Sequence, residues 1–325
     1  MPSGINSQDC YVIMSIFHQK QRTLKQAVEI TGIALHSGRF INAIINPAPA
    51  NYGIVFERVD VTGCNRIVPA KVENAVQNEL CTRIQNEDGI KVQTIEHFMA
   101  AFHGLNIDNL HIEIDGSEMP ILDGSSKQIS DRLNAAGIIE QDEFKQVLVI
   151  TEEIEYRDEH GVMMRLVPND SLEIDITIDF DDSAIGTQRC TYVHENGGFD
   201  NHLAHARTFC LLRDVELIRR SGMGQGGSLD NAVVVDDGKV LNPSGLRGDD
   251  EFVRHKALDC LGDLYLLGMT MKAKLVASRP GHAASASLLK LLKSRPEAFQ
   301  IMSGNNPASL NPSWSMPQSA VASPS

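Results

Sequence analysis

Arg254-His255-Lys256-Ala257-Leu258-Asp259-Cys260-Leu261-Gly262-Asp263 is the segment from which the rest of the chain is read. Leu258, Leu261, Leu264 and Leu267 recur at helical spacing and form an apolar face. The spacing predicts a helix over about 251–267, with Asp249 or Asp250 to cap its start and Gly268 its end. His255 and Asp259 are four apart, so they stand one turn above each other, and Asp263 continues the stripe. An imidazole and a carboxylate so placed are good zinc ligands. Buried without a partner they would be costly. On spacing alone, a His–Asp pair on a helix surface is the commoner use.

Outward from this helix the chain reads as two comparable blocks. The first has strands at about 43–47 and 53–58, a helix at 95–103, a strand at 110–114 and a helix at 127–136. The second has strands at 147–156, 163–167 and 172–180, a helix at 208–220 and a strand at 232–235. The 251–267 helix, a strand at 272–278 and a helix at 284–293 complete it. Each block runs strands, helix, strand, helix, which predicts a structural duplication without matching sequence. The polar stretch 141–145 marks the boundary, so the first domain spans 20–142 and the second 143–302. Residues 1–19 show no pattern and read as a disordered extension, with Met14 an alternative start. Residues 303–325, rich in Ser, Pro, Asn and Ala, read as a disordered tail.

Composition narrows the function classes. Hydrophobic residues are 42% and charged residues 22% of 325, as in an ordinary globular protein of two domains. A net charge of −13 argues against a general nucleic-acid binder, while a few local cations suffice for a diphosphate. Six cysteines at irregular spacing, with no CxxC pair, read as reduced thiols of a cytosolic protein. The first residues do not read as a secretory leader, and no apolar run reaches the length of a membrane span.

Two further segments carry chemistry. In Thr94-Ile95-Glu96-His97-Phe98, Thr94 reads as a helix cap, Gly104 as the stop, and Glu96 and His97 are adjacent near the start. A carboxylate beside a metal ligand suits metal-assisted hydrolysis, where it accepts a proton from activated water. This is not HExxH, because position 101 is Ala. His97, His255 and Asp259, brought together from the two blocks, would give three ligands and one open position. In Ser278-Arg279-Pro280-Gly281-His282, His282 is placed on a loop beyond a strand and is a candidate general acid. Taken singly, His97 and His282 would more often be a packed and a surface histidine. Gly222-Met223-Gly224-Gln225-Gly226-Gly227 fits GxGxxG but follows a helix and precedes a strand, the wrong context for a dinucleotide fingerprint.

Taken together and in order, these segments resemble one family. Gln21 to Lys25, Leu35-His36-Ser37-Gly38, Asn46 to Ala50, Cys81-Thr82-Arg83, Thr94 to His97, Gly104 to Asn109 and Leu122 to Ser125 carry the resemblance in the first block. Ala206 to Phe209, Gly226-Gly227-Ser228, Asn231 to Asp237, Asp250 to Asp263 and Gly281-His282 carry it in the second. The chain is similar to the UDP-3-O-acyl-N-acetylglucosamine deacetylases over about residues 20–295. The resemblance implies an α+β fold of two similar domains, each a sheet with packed helices. The helix layers face each other in a β-α-α-β sandwich around the active site. It implies zinc held by His97, His255 and Asp259, Glu96 as general base and His282 as general acid or oxyanion-stabilising cation. Asp263 would orient His282, Thr208 would stabilise the oxyanion, and Lys256 would lie near the charged part of the substrate. A passage for an acyl chain would be built from about 210–240.

The implied reaction releases acetate from UDP-3-O-(3-hydroxyacyl)-N-acetylglucosamine, the committed step of lipid A biosynthesis in a Gram-negative cytoplasm. The implied protein is a monomer, without nucleic-acid partners or stable membrane insertion. Two departures stand out: Leu166 and Val167 occupy the place before Pro168 where the family often has an aromatic residue, and Cys210 stands where it commonly has Gly. A zinc amidase on another N-acetyl sugar, or a non-catalytic binder of UDP-sugar lipids, are the alternatives. A pure binder needs no general base, and the apolar stripe Leu211, Leu212, Val215, Leu217, Ile218 and Val233–Val235 favours an acyl substrate over core packing only with the resemblance.

Overall fold

The computed structural model describes residues 19–78, 80–195, 197–304 and 306–310. The extension expected at 1–19, apart from Gln19, and residues 311–325 of the expected tail lie outside the described residues. The strands of the first half are β1 (Lys20–Leu24), β2 (Val28–Ile33), β3 (Phe40–Pro47), β4 (Ile54–Arg58), β5 (Ile67–Pro69), β6 (Ala75–Val76), β7 (Arg83–Gln85), β8 (Lys91–Gln93), β9 (Leu110–Ile114) and β10 (Ile138–Phe144). Those of the second are β11 (Gln146–Ile150), β12 (Ile154–Arg157), β13 (Met163–Val167), β14 (Leu172–Asp179), β15 (Thr187–Val193), β16 (Phe209–Leu211), β17 (Val233–Asp236), β18 (Lys239–Val240), β19 (Thr270–Ser278), β20 (Phe299–Ser303) and β21 (Asn306–Leu310). The helices are α1 (Glu96–Gly104), α2 (Lys127–Ala136), α3 (Gly198–His202), α4 (Leu212–Arg220), α5 (Glu251–Leu264) and α6 (His282–Ser294).

The protein is α+β, and its two main sheets repeat one topology. The first is ordered β2-β3-β9-β4-β5 and the second β12-β13-β19-β14-β15. In each, the central strand runs antiparallel to one neighbour and parallel to the other: β9 with β3 and β4, β19 with β13 and β14. A parallel pair needs a crossover, and α1 and α5 lie in the two crossovers. Strands β3, β9 and β13 alternate buried and less buried residues, so each sheet turns one face to its helices. The second sheet is longer, because β11 pairs with the start of β19 and carries β20 and β21 beyond it.

Several elements differ from their sequence expectation. The 147–156 strand is two, β11 and β12, which pair with different neighbours across an exposed Thr151-Glu152-Glu153 break. The 208–220 helix begins only at Leu212; Phe209–Leu211 extends as β16 to pair with Val233–Val235 of β17. The polar 141–145 stretch carries the end of β10, paired with β1. The chain then leaves at Lys145, whose buried ammonium meets Asp108 at 2.9 Å and the Asn106 carbonyl at 2.9 Å. Where a tail was expected, residues 306–310 extend against β20, because antiparallel pairing satisfies backbone groups whatever the side-chain composition.

Helix α5 explains how the halves meet. Leu258, Leu261 and Leu264 are buried in the core that α5 shares with β14 and β15. Its polar stripe is buried too, because α1 packs across it. All nine residues of α1 are buried. Gly262 allows this approach: a β-carbon there would lie 2.2 Å from the Glu96 carbonyl oxygen and 3.0 Å from the Ala100 nitrogen. The backbones of α1 and α5 therefore touch, and Glu96 and His97 arrive opposite the His255 stripe.

Candidate active site

Both helices start differently from their sequence expectation. Thr94 does not cap α1: its φ is +56°, and its hydroxyl donates to Glu118 at 3.2 Å. Asp250 holds the N-cap place of α5, but its carboxylate pairs with Arg254 at 2.7 Å instead of capping. The first turn of α5 is fixed by Glu251, which accepts both arms of the Arg207 guanidinium (2.8 and 3.0 Å) and the Arg247 N–H (2.7 Å). This buried pair ties the chain entering β16, just before Thr208, to the helix carrying His255. His282 is the first residue of α6 and not a loop residue.

The seam gathers His97, His255 and Asp259. Their ligand atoms lie within 4.8 Å of one another and all three residues are buried. The Nε2 atoms of His255 and His97 stand 3.3 and 3.8 Å from Asp259 Oδ1. The Ala206 carbonyl, 3.0 Å from His255 Nδ1, can only accept, so that nitrogen carries the proton and Nε2 presents its lone pair. Asp259 Oδ2 receives the Lys256 ammonium at 2.7 Å. Asp259 Oδ1 is buried with no hydrogen-bond partner. An orphaned carboxylate oxygen facing two imidazoles could hold a divalent metal, and two nitrogens with one oxygen are donors that zinc accepts. Burial holds His97 down to about 3, the neighbouring His255 adding to it, so its imidazole is neutral as a ligand must be. Burial opposes ionisation of Asp259, yet the Lys256 ammonium and the His282 imidazolium beside it keep the carboxylate charged.

Glu96 and His282 face the same space. The Thr82 N–H donates to Glu96 Oε2 at 2.9 Å, leaving Oε1 towards the cavity, 3.9 Å from His282 Nε2. Burial pushes the Glu96 carboxyl up to about 7, against the lowering influence of His282. His282 Nδ1 meets the Asp263 carboxylate at 3.1 Å, and the Thr82 hydroxyl donates to the same carboxylate. Burial pushes His282 down, but the Asp263 and Glu96 carboxylates prevail and raise it to about 9. The two groups are thus poised in opposite senses, a carboxyl made more basic and an imidazole kept charged. Thr82 was quoted in the sequence only as part of a motif. Nothing local marked it as the link between Glu96, Asp263 and His282, since those partners are brought to it by three different helices.

Glu96, His97, His255, Asp259 and His282 line a cavity of about 310 Å³ together with Thr208 and Lys256. A second, more apolar cavity of about 390 Å³ adjoins it and is lined by Leu212, Val215, Ile218, Leu229 and Val234 among others. Leu35, Leu80, Thr208, Phe209, Cys210 and Ile218 line both. Not all of the expected apolar stripe faces this space. Leu217 is 71% exposed, and Val233 and Val235 join the core, since a strand turns alternate residues to opposite sides; Leu211 packs on the core and also lines the polar cavity.

A sequence model of the UDP-3-O-acyl N-acetylglycosamine deacetylase family (LpxC) matches residues 21–294. The chain belongs to this family. It is 41% identical over 285 residues to the UDP-3-O-acyl-N-acetylglucosamine deacetylase of Idiomarina loihiensis, covering 87% of this chain and 92% of that protein. It is 40% identical over 291 residues to the enzyme of that name from Chromobacterium violaceum, covering 88% and 94%. With that of Shewanella piezotolerans it shares 39% over 303 residues, 93% and 98% of the two chains. The match of the deacetylase family spans the two repeated five-strand arrays, β2-β3-β9-β4-β5 and β12-β13-β19-β14-β15, and every residue of the seam described above.

Proposed function

We propose that this chain is a zinc-dependent deacetylase. It hydrolyses the N-acetyl group of UDP-3-O-(3-hydroxyacyl)-N-acetylglucosamine to acetate and the free amine, the committed step of lipid A biosynthesis in the cytoplasm. The observation that carries the reading is the orphaned Asp259 Oδ1 between two imidazoles, with Glu96 and His282 across the same cavity. His97, His255 and Asp259 would hold the zinc ion, which supplies Lewis acidity and an acidified water at neutral pH.

The protein's own groups do the proton work. Glu96 Oε1 takes the proton of the attacking water, while Oε2 stays fixed by the Thr82 N–H. Thr208, on the cavity wall, offers its hydroxyl to the oxyanion as the carbonyl becomes tetrahedral. His282 gives the Nε2 proton to the leaving amine, its Nδ1 anchored on Asp263. Lys256 pairs with Asp259 and orients that carboxylate; its place on the cavity wall also suits it to a negatively charged part of the substrate. The apolar cavity takes the acyl chain. Among the described residues no helix is long and apolar enough to cross a membrane.

The test is acetate release from the acylated UDP-sugar by purified protein, with chelator and then with zinc restored. Release that chelation abolishes and zinc restores supports the reading. No release from folded, zinc-loaded protein overturns the substrate assignment.

A further inference from the structure

Leu122-Asp123-Gly124-Ser125 lies in the turn between β9 and α2 and has no part in the proton transfers above. It sits between two groups that flank the polar cavity. On one side the Ser126 hydroxyl, at the end of the turn, donates to the His97 carbonyl at 2.8 Å. On the other the Gly124 carbonyl accepts the Thr208 N–H at 2.7 Å. His97 belongs to the first half and Thr208 to the second, so this turn carries the spacing between them. Gly124 is at φ +84°, and a β-carbon there would lie 2.2 Å from the Asn231 carbonyl oxygen and 3.3 Å from Thr208 Cγ2. The close seat of Thr208 therefore needs glycine at this position. Leu122 holds φ +54° without being glycine, a conformation that only its surroundings can impose.

The second half clasps the turn. The Arg247 guanidinium donates to Asp123 Oδ2 at 2.7 Å, to the Ser125 hydroxyl at 3.3 Å and to the His205 carbonyl at 2.9 Å. Asp123 Oδ1 accepts the Ser125 hydroxyl at 2.9 Å and the Ser125 N–H at 3.2 Å, which closes the turn on itself. The Arg247 N–H donates to Glu251, whose carboxylate also holds Arg207, the residue before Thr208. The Thr208 carbonyl accepts the Val233 N–H at 2.8 Å, so both of its backbone groups are pinned and its side chain is set against the cavity. A hydroxyl that steadies an oxyanion must stand about 2.7–3.1 Å from it. A misplacement of about 1 Å can cost about 10²-fold in rate.

We propose that the Asp123–Arg247 clasp is a positioning device for the oxyanion: through the Gly124 carbonyl it fixes Thr208 at its distance from the ligand helix α1. Asp123 and Arg247 are positioning residues that act through Thr208. The proposal rests on the deacetylase reading. It gives the turn after the first central strand a task beside that of its counterpart, since the turn after β19 leads into His282.

The experiment is a double-mutant cycle on zinc-loaded protein and the acylated UDP-sugar, built from Arg247→Gln and Thr208→Val. Arg247→Gln alone should lower kcat by about tenfold, equivalent to about 1.4 kcal/mol, with KM and zinc content little changed. In the Thr208→Val background the same substitution should change kcat by less than about twofold, because the hydroxyl it positions is gone. Arg247→Lys, which keeps a donor for Asp123, should recover part of the loss. Falls that multiply across the cycle, or no fall in a folded variant, overturn the proposal. Asp123→Asn takes the place of Arg247→Gln if thermal unfolding shows that the latter does not fold. Amide exchange gives a reading that needs no turnover. The Thr208 N–H should be protected in the wild type and exchange about tenfold faster or more in Arg247→Gln, with the α1 amides unchanged. A wild-type Thr208 amide that exchanges as in an unstructured peptide overturns the clasp. If the wild type turns over no acylated UDP-sugar, the deacetylase reading falls and the oxyanion role with it, while exchange still tells whether the clasp holds Thr208.

Discussion

The two halves share a strand order and a helix order, yet they contribute unequally to the seam. In the first, α1 brings Glu96 and His97, and the helix after the central strand, α2, begins at Lys127, which pairs with Asp131 on the surface. In the second, the corresponding helix α6 begins at His282, buried against Asp263, and α5 carries three polar residues along one stripe. The second half also builds the apolar cavity from α4 and β17. Duplication thus supplies two helix layers that close on each other, and the chemistry comes from where the copies diverged. Neither half holds all three residues of the His97, His255 and Asp259 cluster.

The sharpest break of this comparison is Glu96→Gln. Losing a general base should lower kcat by about 10²–10⁴-fold while zinc content, measured by elemental analysis, stays the same. Near-normal turnover would confine the chemistry to the second half. His97→Ala should lower zinc content as strongly as Asp259→Ala, and retention of zinc would show that the second half binds it unaided.

Glu251→Ala tests whether the start of α5 is held by its ion pair. It leaves Arg207 buried without its partner, which should cost about 3–5 kcal/mol, read from denaturant midpoints. Gly262→Ala probes the helix crossing itself. Overpacking against the Glu96 carbonyl should cost about 1–3 kcal/mol, against which a helix-propensity gain of about 1 kcal/mol is the smaller effect. Zinc affinity should fall as α1 is pushed from α5; unchanged affinity and stability would mean that the crossing has slack.

The mildest change is Asp263→Asn. Without metal Glu96 loses its proton near pH 7 and His282 near pH 9, so in the wild type kcat/KM should rise through the first deprotonation and fall through the second, each below these values once the metal is bound. A bound divalent cation lowers both limbs, in wild type and variant alike. His282 is needed protonated, and Asp263 is what raises it against burial, so the variant's alkaline limb should move to lower pH with the acid limb little changed. A superimposable profile would separate Asp263 from the His282 proton.

The sequence by itself determined the elements whose pattern is local. The strands 110–114 and 163–167 and the helix 127–136 follow from alternation and helical spacing, and the His255–Asp259–Asp263 stripe from the 3.6-residue turn. The ordered motifs were also enough for the family. The small strands β5 to β8, and the pairing of β10 with β1, were not legible, because a two- or three-residue strand has no period and its partner lies far along the chain. For the same reason Phe209–Leu211 read as helix: only pairing with Val233–Val235 of β17, far along the chain, makes it a strand. The tertiary structure alone decided that Gly262 lets two helices touch, that Thr82 joins three charged groups, and that Gly124 seats Thr208. A missing β-carbon and a single hydroxyl carry no pattern of their own. Their meaning lies in what packing brings within about 3 Å, the range in which sterics and hydrogen bonds act.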